Sequence, residues 1–119
     1  MKNKFHERLK KLMDEFVNLV YDVTEKFPKS EVFGLTNQYR RSALSIILNY
    51  IEGYARQSRG VMENFFEISY GSLKEAKYLT YFSHKRKYIN EKQYEKLLEI
   101  TEEIGAMLWT VLARSKSTR

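Results

Sequence analysis

Residues 33–56 read FGLTNQYRRSALSIILNYIEGYAR, and this stretch decides the fold. It opens on Gly34, which loosens the backbone, and Thr36, a side chain suited to capping a helix. Apolar residues then recur at three and four for about six turns. At 100° per residue, Leu35, Tyr39, Ala43, Leu44, Ile46, Ile47, Leu48, Tyr50, Ile51, Tyr54 and Ala55 fill an arc of roughly 220°. Gln38, Arg41, Ser42, Ser45, Asn49, Glu52 and Arg56 line a narrow polar stripe opposite. A surface helix of a monomer needs an apolar arc of little more than ~100°. The excess points to self-association.

Three further helices are read outward from this one. Upstream, Phe5, Leu9, Leu12, Phe16, Leu19, Val23 and Phe27 form a seam that predicts a helix over 4–27, stopped by Pro28. The central helix spans 36–57, and Ser58-Arg59-Gly60 makes a turn. A third helix follows over 61–86, with Met62, Phe65, Phe66, Ser69, Leu73, Ala76, Leu79 and Thr80 toward the core. Asn90 with Gln93 starts a fourth like a capping box. It covers 91–113 and faces inward through Tyr94, Leu97, Leu98, Thr101, Ile104, Leu108, Val111 and Leu112. A polar, basic, frayed tail is expected over 114–119. Short connections favour antiparallel neighbours. The expected fold is all-α, an up-down-up-down antiparallel four-helix bundle, as one domain over 1–119.

Composition narrows the class. At 119 residues, 43% hydrophobic and 30% charged, the chain can build one core and is not a disordered tail. It has no cysteine, which removes disulfides and thiol chemistry. The longest apolar run, Ala43 to Ile51, is too short to span a bilayer, and the charged start MKNKFHERLKKL lacks a signal-peptide core. A cytoplasmic protein without a membrane partner is expected. The net charge of +6 divides as +1, +3, +2 and 0 over residues 1–27, 28–60, 61–88 and 89–119. The surplus sits on the middle two helices, a distribution that suits an anionic partner such as nucleic acid.

Enzyme chemistry finds little footing. Di-iron bundles need Glu-x-x-His pairs, but the residues three before His6 and His84 are Asn3 and Tyr81. There is no His-Glu-x-x-His, no glycine-rich loop opening a helix, and nothing that marks a nucleophile. No catalytic residue, metal or cofactor is expected.

Two surfaces stand out. Arg41, Ser45, Asn49, Glu52 and Arg56 stack along one face of the second helix. With Ser72 and Glu75 of the third helix they are candidates for a structural hydrogen-bonded network; a solvated face or a binding site are the alternatives. On the outer face of the third helix, Tyr70, Lys74, Lys77, Tyr78, Tyr81 and Lys85 interleave cations with tyrosines, and Arg86 and Lys87 continue the pattern. Lys74, Lys77, Tyr78, Tyr81, Lys85, Arg86 and Lys87 are therefore candidate nucleic-acid contacts, meeting phosphates and stacking on unpaired bases. Glu63 and Glu67 share this face, and the tyrosines equally suit a subunit or partner contact. Gly53 and Gly71, each costly inside a helix, suggest a tight approach of the second and third helices.

Pro28-Lys29-Ser30-Glu31, Phe33-Gly34-Leu35-Thr36, Gln38, Arg40-Arg41, Ser45, Asn49-Tyr50-Ile51-Glu52-Gly53 and Arg56 together resemble the signature of a known family. Phe65-Phe66 and Tyr70-Gly71-Ser72-Leu73-Lys74-Glu75-Ala76 add its Gly-Ser-x-x-Glu element. The family is the four helix bundle proteins encoded in intervening sequences of bacterial 23S rRNA genes, sometimes labelled ribosomal. Ile46-Ile47-Leu48 departs from it, since many relatives carry a proline there, and favours an unbroken second helix. The resemblance implies a ring-shaped homopentamer. It also extends to the accessory protein of diversity-generating retroelements, a basic pentameric bundle that works with a reverse transcriptase and nucleic acid. Two functions are expected as alternatives. One is a non-catalytic, self-associating bundle that binds structured RNA or DNA. The other is an oligomeric scaffold for a protein partner, such as an accessory subunit to a reverse transcriptase.

Overall fold

The computed structural model describes residues 3–117, and the side chains of residues 3–115. Helix α1 spans Lys4–Thr24, α2 Leu35–Tyr54, α3 Arg59–Lys85 and α4 Glu91–Ser117, with a 3-10 turn at Lys29–Glu31. Each helix packs on the next and α1 closes on α4, which gives the expected antiparallel four-helix bundle. The core is one continuous cluster: Leu9, Met13, Phe16 and Val20 of α1 meet Tyr39, Ala43, Ile46 and Tyr50 of α2, Phe66, Leu73 and Ala76 of α3, and Leu97, Ile104 and Leu108 of α4.

Local chemistry sets the helix ends. Asn3 starts α1, its Oδ1 accepting from the backbone N–H of Phe5 at 3.0 Å. The helix ends at Thr24, short of Phe27, because the chain tightens: the N–H groups of Lys26 and Phe27 reach the carbonyls of Val23 and Thr24. Phe27 remains buried all the same, 5.2 Å from the ring of Tyr88.

The start of α2 corrects the expected Thr36 cap. Gly34 holds the cap position, and the capping group is the Glu31 carboxylate. One oxygen accepts from the N–H of Leu35 at 3.1 Å, the other from the Tyr88 hydroxyl at 3.0 Å. The 3-10 turn carries Glu31 over the first turn of α2 and leaves Thr36 buried inside it, its hydroxyl without a hydrogen-bond partner among the described residues.

At the far end of α3 the chain turns through Lys87 at φ 65°. The N–H of Tyr88 bonds to the carbonyl of Ser83 and that of Lys87 to His84, both at 2.9 Å, a Schellman closure with lysine where glycine is usual. Asn90 and Gln93 then form the expected reciprocal box: the N–H of Gln93 donates to Asn90 Oδ1 at 2.7 Å, and that of Asn90 to Gln93 Oε1 at 2.8 Å. Helix α4 continues through Ser117, so Arg114 and Ser115 are helical and not part of a frayed tail. Residues 118–119 lie outside the described residues.

The two interior glycines part company. A Cβ on Gly53 would sit 2.8 Å from ring atoms of Phe66 and 3.1 Å from the carbonyl oxygen of Met62, so α2 and α3 do approach closely there. A Cβ on Gly71 would meet nothing within 4 Å. Gly71 lies on the outer side of α3, and the tight contact expected of it is absent within the protomer.

Candidate nucleic-acid interface

The polar stripe of α2 separates into parts with different surroundings. Ser45 Oγ and Ser72 Oγ lie 2.7 Å apart across the α2–α3 seam. Asn49 Nδ2 donates to the Ser45 carbonyl at 2.8 Å and to its hydroxyl at 2.9 Å. The Ser45 hydroxyl therefore accepts from Asn49 and is free to donate to Ser72, a chain with a consistent direction. Gln38 Nε2 donates to Glu75 Oε2 at 2.9 Å. Glu52 pairs with Arg56 one turn on, with both side chains close to half exposed. Arg41 is exposed and makes no hydrogen bond or ion pair among the described residues; it lines a polar cleft of about 300 Å³ with Gln38, Ser45, Ser72 and Glu75. Ser45, Asn49 and Ser72 thus form one connected group, while Glu52–Arg56 is a surface pair and Arg41 stands at the rim.

On α3 the helical turn brings Tyr70, Lys74 and Lys77 to the side that faces α4. Lys74 Nζ lies 5.2 Å from the centre of the Tyr70 ring. Lys77 donates to Glu102 of α4 at 2.7 Å, and this bond, with the lysine charge, holds the Glu102 carboxyl below its usual range. Between them runs a groove of about 360 Å³ bordered by Tyr70, Lys74, Lys77, Glu102 and Trp109. Gly105 and Ala106 of α4 keep it open, being too small to fill the space between the two helices. Trp109, the only tryptophan, is 60% exposed and its ring centre lies 5.8 Å from that of Tyr70.

The sequence reading missed Trp109. The available signal was an aromatic residue outside the inward face of α4, one turn after Gly105 and Ala106. Glu63, expected on the outer face of α3, is instead 4% exposed and accepts from the Ser115 hydroxyl at 2.8 Å. That correction follows from the rotation of α3: position 63 points toward α4.

The other candidates spread toward the end of α3. Tyr78 is 58% exposed, with the Tyr81 ring 6.0 Å and the Phe82 ring 6.1 Å from its own. Lys85, Arg86 and Lys87 are exposed at the turn, where Arg86 lies 6.0 Å from the Tyr88 ring. Beside them His84 stacks on Tyr94 at 4.2 Å, and its Nε2 lies 2.9 Å from Glu91 Oε1. Lys85 sits three turns, about 16 Å, above Lys74, so the loop cations and the groove lysines form two clusters joined by the tyrosine pair. No group of histidine, cysteine and carboxylate side chains suited to a metal occurs among the described residues, and no described helix is long and apolar enough to cross a membrane.

Comparison with known proteins agrees with this architecture. The family model of the 23S rRNA-intervening sequence proteins matches residues 7–110, and the chain belongs to that family. The fold is similar to the crystal structure of a protein of unknown function from the S23 ribosomal protein family of Bacteroides thetaiotaomicron. That similarity has a TM-score of 0.81 at 25% identity, covering 87% of this chain and 97% of that one. No curated protein matches the chain.

Proposed function

We propose that this member of the 23S rRNA-intervening sequence protein family is a non-catalytic, self-associating bundle that binds structured RNA through α3 and the α3–α4 groove. The observation that carries the reading is the groove itself, where Lys74 and Lys77 flank Tyr70 and an exposed Trp109. Phosphate neutralisation supplies most of such an affinity, and aromatic side chains add sequence-tolerant stacking on unpaired bases. The family's name favours RNA as the nucleic acid.

Self-association is supported by α2. Its apolar arc does not all enter the core: Tyr39, Ala43, Ile46 and Tyr50 are buried, but Leu48 is 58% exposed, and Ile51 and Ala55 share that outer side. Leu44, Leu48, Ile51 and Ala55 repeat at four, three and four, a stripe suited to another helix. The pentamer implied by the family resemblance is the assembly this stripe would serve. A second reading, a scaffold for another polypeptide, is favoured by Phe33, 95% exposed at the α1–α2 connection.

The test is binding of a labelled RNA hairpin at several salt concentrations. Affinity should fall steeply with salt, and Lys74→Glu with Lys77→Glu should weaken it and flatten the salt slope by about 1–2. Trp109→Ala should lower affinity roughly ten-fold, with Trp109→Phe recovering part of it. Reversal at Lys85, Arg86 and Lys87 should add to the loss. Binding indifferent to all of these refutes the site, and no binding to RNA or DNA at low salt leaves the scaffold reading.

A further inference from the structure

Ion pairs tie α1 to α4 along part of their shared seam and then stop. Arg8 pairs with Glu103, and Lys96 Nζ lies 3.7 Å from Glu15 Oε2. Beyond Lys96, toward the α3–α4 turn, Asp22 of α1 and Lys92 of α4 border the seam, and neither side chain has a hydrogen bond or ion pair among the described residues. The seam opens there into a trough of about 400 Å³ with Leu19, Val23 and Leu97 as its floor. Leu19 is only partly buried, so the trough presents aliphatic surface to water. Asn90 and Gln93 also border it, each with its side-chain oxygen engaged in the capping box of α4.

The rim is cationic. A second hollow of about 530 Å³ adjoins the trough, sharing Val23, Asn90 and Gln93 with it, and Lys26, Lys87 and Ile89 line its far side. Of the charged groups bordering the two hollows, Lys96 is paired with Glu15 and His84 with Glu91. The side chains of Lys26, Lys87 and Lys92 have no such partner among the described residues, and Asp22 is the one carboxylate on either rim. Three unpaired cations therefore stand against one anion around an aliphatic floor. From Leu19 to Lys26 the trough runs about 10 Å along α1, two turns of helix.

We propose that this trough docks an acidic amphipathic helix of another polypeptide, its apolar residues seated on Leu19, Val23 and Leu97 and its carboxylates turned to Lys26, Lys87 and Lys92. A helix laid in a groove anchors itself through apolar side chains three and four apart, and two turns of such anchors match the length of the floor. The lysine rim then selects the acidic flank by charge complementarity. Other occupants fit less well. No ring lines the trough for a nucleobase to stack on, and a second copy of this chain carries a net charge of +6 itself. A small apolar ligand needs enclosure on most sides, whereas the trough is open along one. The proposal does not rest on the RNA-binding reading, whose groove lies between α3 and α4.

The experiment titrates the whole chain with a labelled synthetic peptide of about 15 residues, long enough to form helix, with leucines three and four apart and glutamates flanking them. Anisotropy reads the affinity, NMR follows the methyl groups of Leu19, Val23 and Leu97, and fluorescence follows Trp109. Saturable methyl shifts with little change at Trp109 are expected. Lys26→Glu with Lys92→Glu should weaken binding about ten-fold, and Asp22→Asn should strengthen it about two- to three-fold. These three side chains are exposed, and unchanged circular dichroism and melting will establish that the variants fold. Peptides with serine for leucine, or lysine for glutamate, should bind far more weakly. Binding that leaves the methyls unmoved, that ignores both sets of substitutions, or that the serine peptide reproduces overturns the proposal, as does no binding at millimolar peptide. A peptide that lowers the particle mass in light scattering also overturns it, because a second copy then holds the trough. So does an RNA hairpin that shifts the same methyls while the peptide does not. If the peptide binds and no RNA does, the RNA-binding reading falls and the trough stands.

Discussion

Replacing Gly53 by alanine tests the closest approach in the bundle. Two effects oppose one another. Alanine is the better helix former by about 1 kcal/mol, which favours the variant. The new methyl, however, would stand 2.8 Å from two ring carbons of Phe66 and 3.1 Å from the Met62 carbonyl oxygen. Neither neighbour yields easily: the ring is 2% exposed and packed on Tyr50, and the carbonyl belongs to the backbone of α3. Overpacking of this kind costs typically 1–3 kcal/mol. The balance predicts a net loss of roughly 1–2 kcal/mol. Gly71→Ala is the internal control, because its methyl enters open space, and it should stabilise the protomer by about 0.5–1 kcal/mol. Urea melts at fixed protein concentration decide the matter, provided the slope is unchanged so that midpoints report stability. Adding Phe66→Leu to Gly53→Ala should lessen the penalty of the alanine, measured as coupling in a double-mutant cycle. A Gly53→Ala protein as stable as wild type would refute the steric argument. A Gly71→Ala protein that loses stability would show that the outer side of α3 is covered in the assembled state.

Other expectations follow from single contacts. Lys87→Gly should raise stability by up to about 1 kcal/mol in the same melts, since the left-handed position at φ 65° suits glycine better than lysine. Glu52→Ala should change stability by less than ~0.5 kcal/mol because its partner Arg56 is solvated, whereas Ser45→Ala should cost about 1 kcal/mol by removing the link between Asn49 and Ser72. The Glu102 carboxyl titrates below its unfolded value, so its contribution is present above the ordinary carboxylate range and is lost as pH falls through the folded pKa. Lys77→Gln should move its NMR titration midpoint upward, and an unmoved midpoint would deny the pairing. Leu48→Glu with Ile51→Glu should shift light scattering toward the protomer mass; an unchanged particle would place self-association elsewhere.

What the sequence disclosed and what it concealed divide along the range of the interactions. The α1 seam and the Asn90–Gln93 box involve neighbours within one or two turns, so spacing alone was sufficient. The cap of α2 escaped because Glu31 reaches the N–H of Leu35 only after the 3-10 turn has bent the chain. Gly53 and Gly71 look alike in sequence, yet one meets a ring and the other nothing, since which side of a helix is covered depends on its partner's rotation. The same rotation buries Glu63 against Ser115, more than fifty positions away. The charge surplus of the middle segments was legible, but the pairing that engages Lys77 with Glu102 of α4 was not. Trp109 escaped for a related reason: it fell outside the inward stripe of α4, and its value lies in the small residues that leave a groove beside it.

The disposition of these surfaces bears on how the proposed activities can coexist. The interior is filled, and apart from Thr36 its hydroxyls are engaged inside it, among them Tyr39 with Thr80, Ser69 with the carbonyl of Ile46, and Tyr50 with His6. Burial pushes the Tyr39 and Tyr50 phenols well above their ordinary range, so neither ionises near neutral pH. Any recognition must therefore use the outside. In a bundle whose helices pack in the cyclic order α1, α2, α3, α4, the outer stripe of α2 lies at the corner diagonally opposite α4. The α3–α4 groove opens on a side to which α2 does not contribute. An assembly closed through Leu44, Leu48 and Ile51 would leave Trp109, Lys74 and Lys77 facing outward on every copy. Several weak phosphate-binding grooves on one particle act through effective concentration, so a modest site per protomer can hold a long RNA firmly. On this argument the Leu48→Glu, Ile51→Glu protein should bind a short hairpin about as well as wild type, yet bind a long structured RNA at least ten-fold more weakly. Equal loss for both ligands would mean that the α2 stripe itself touches RNA.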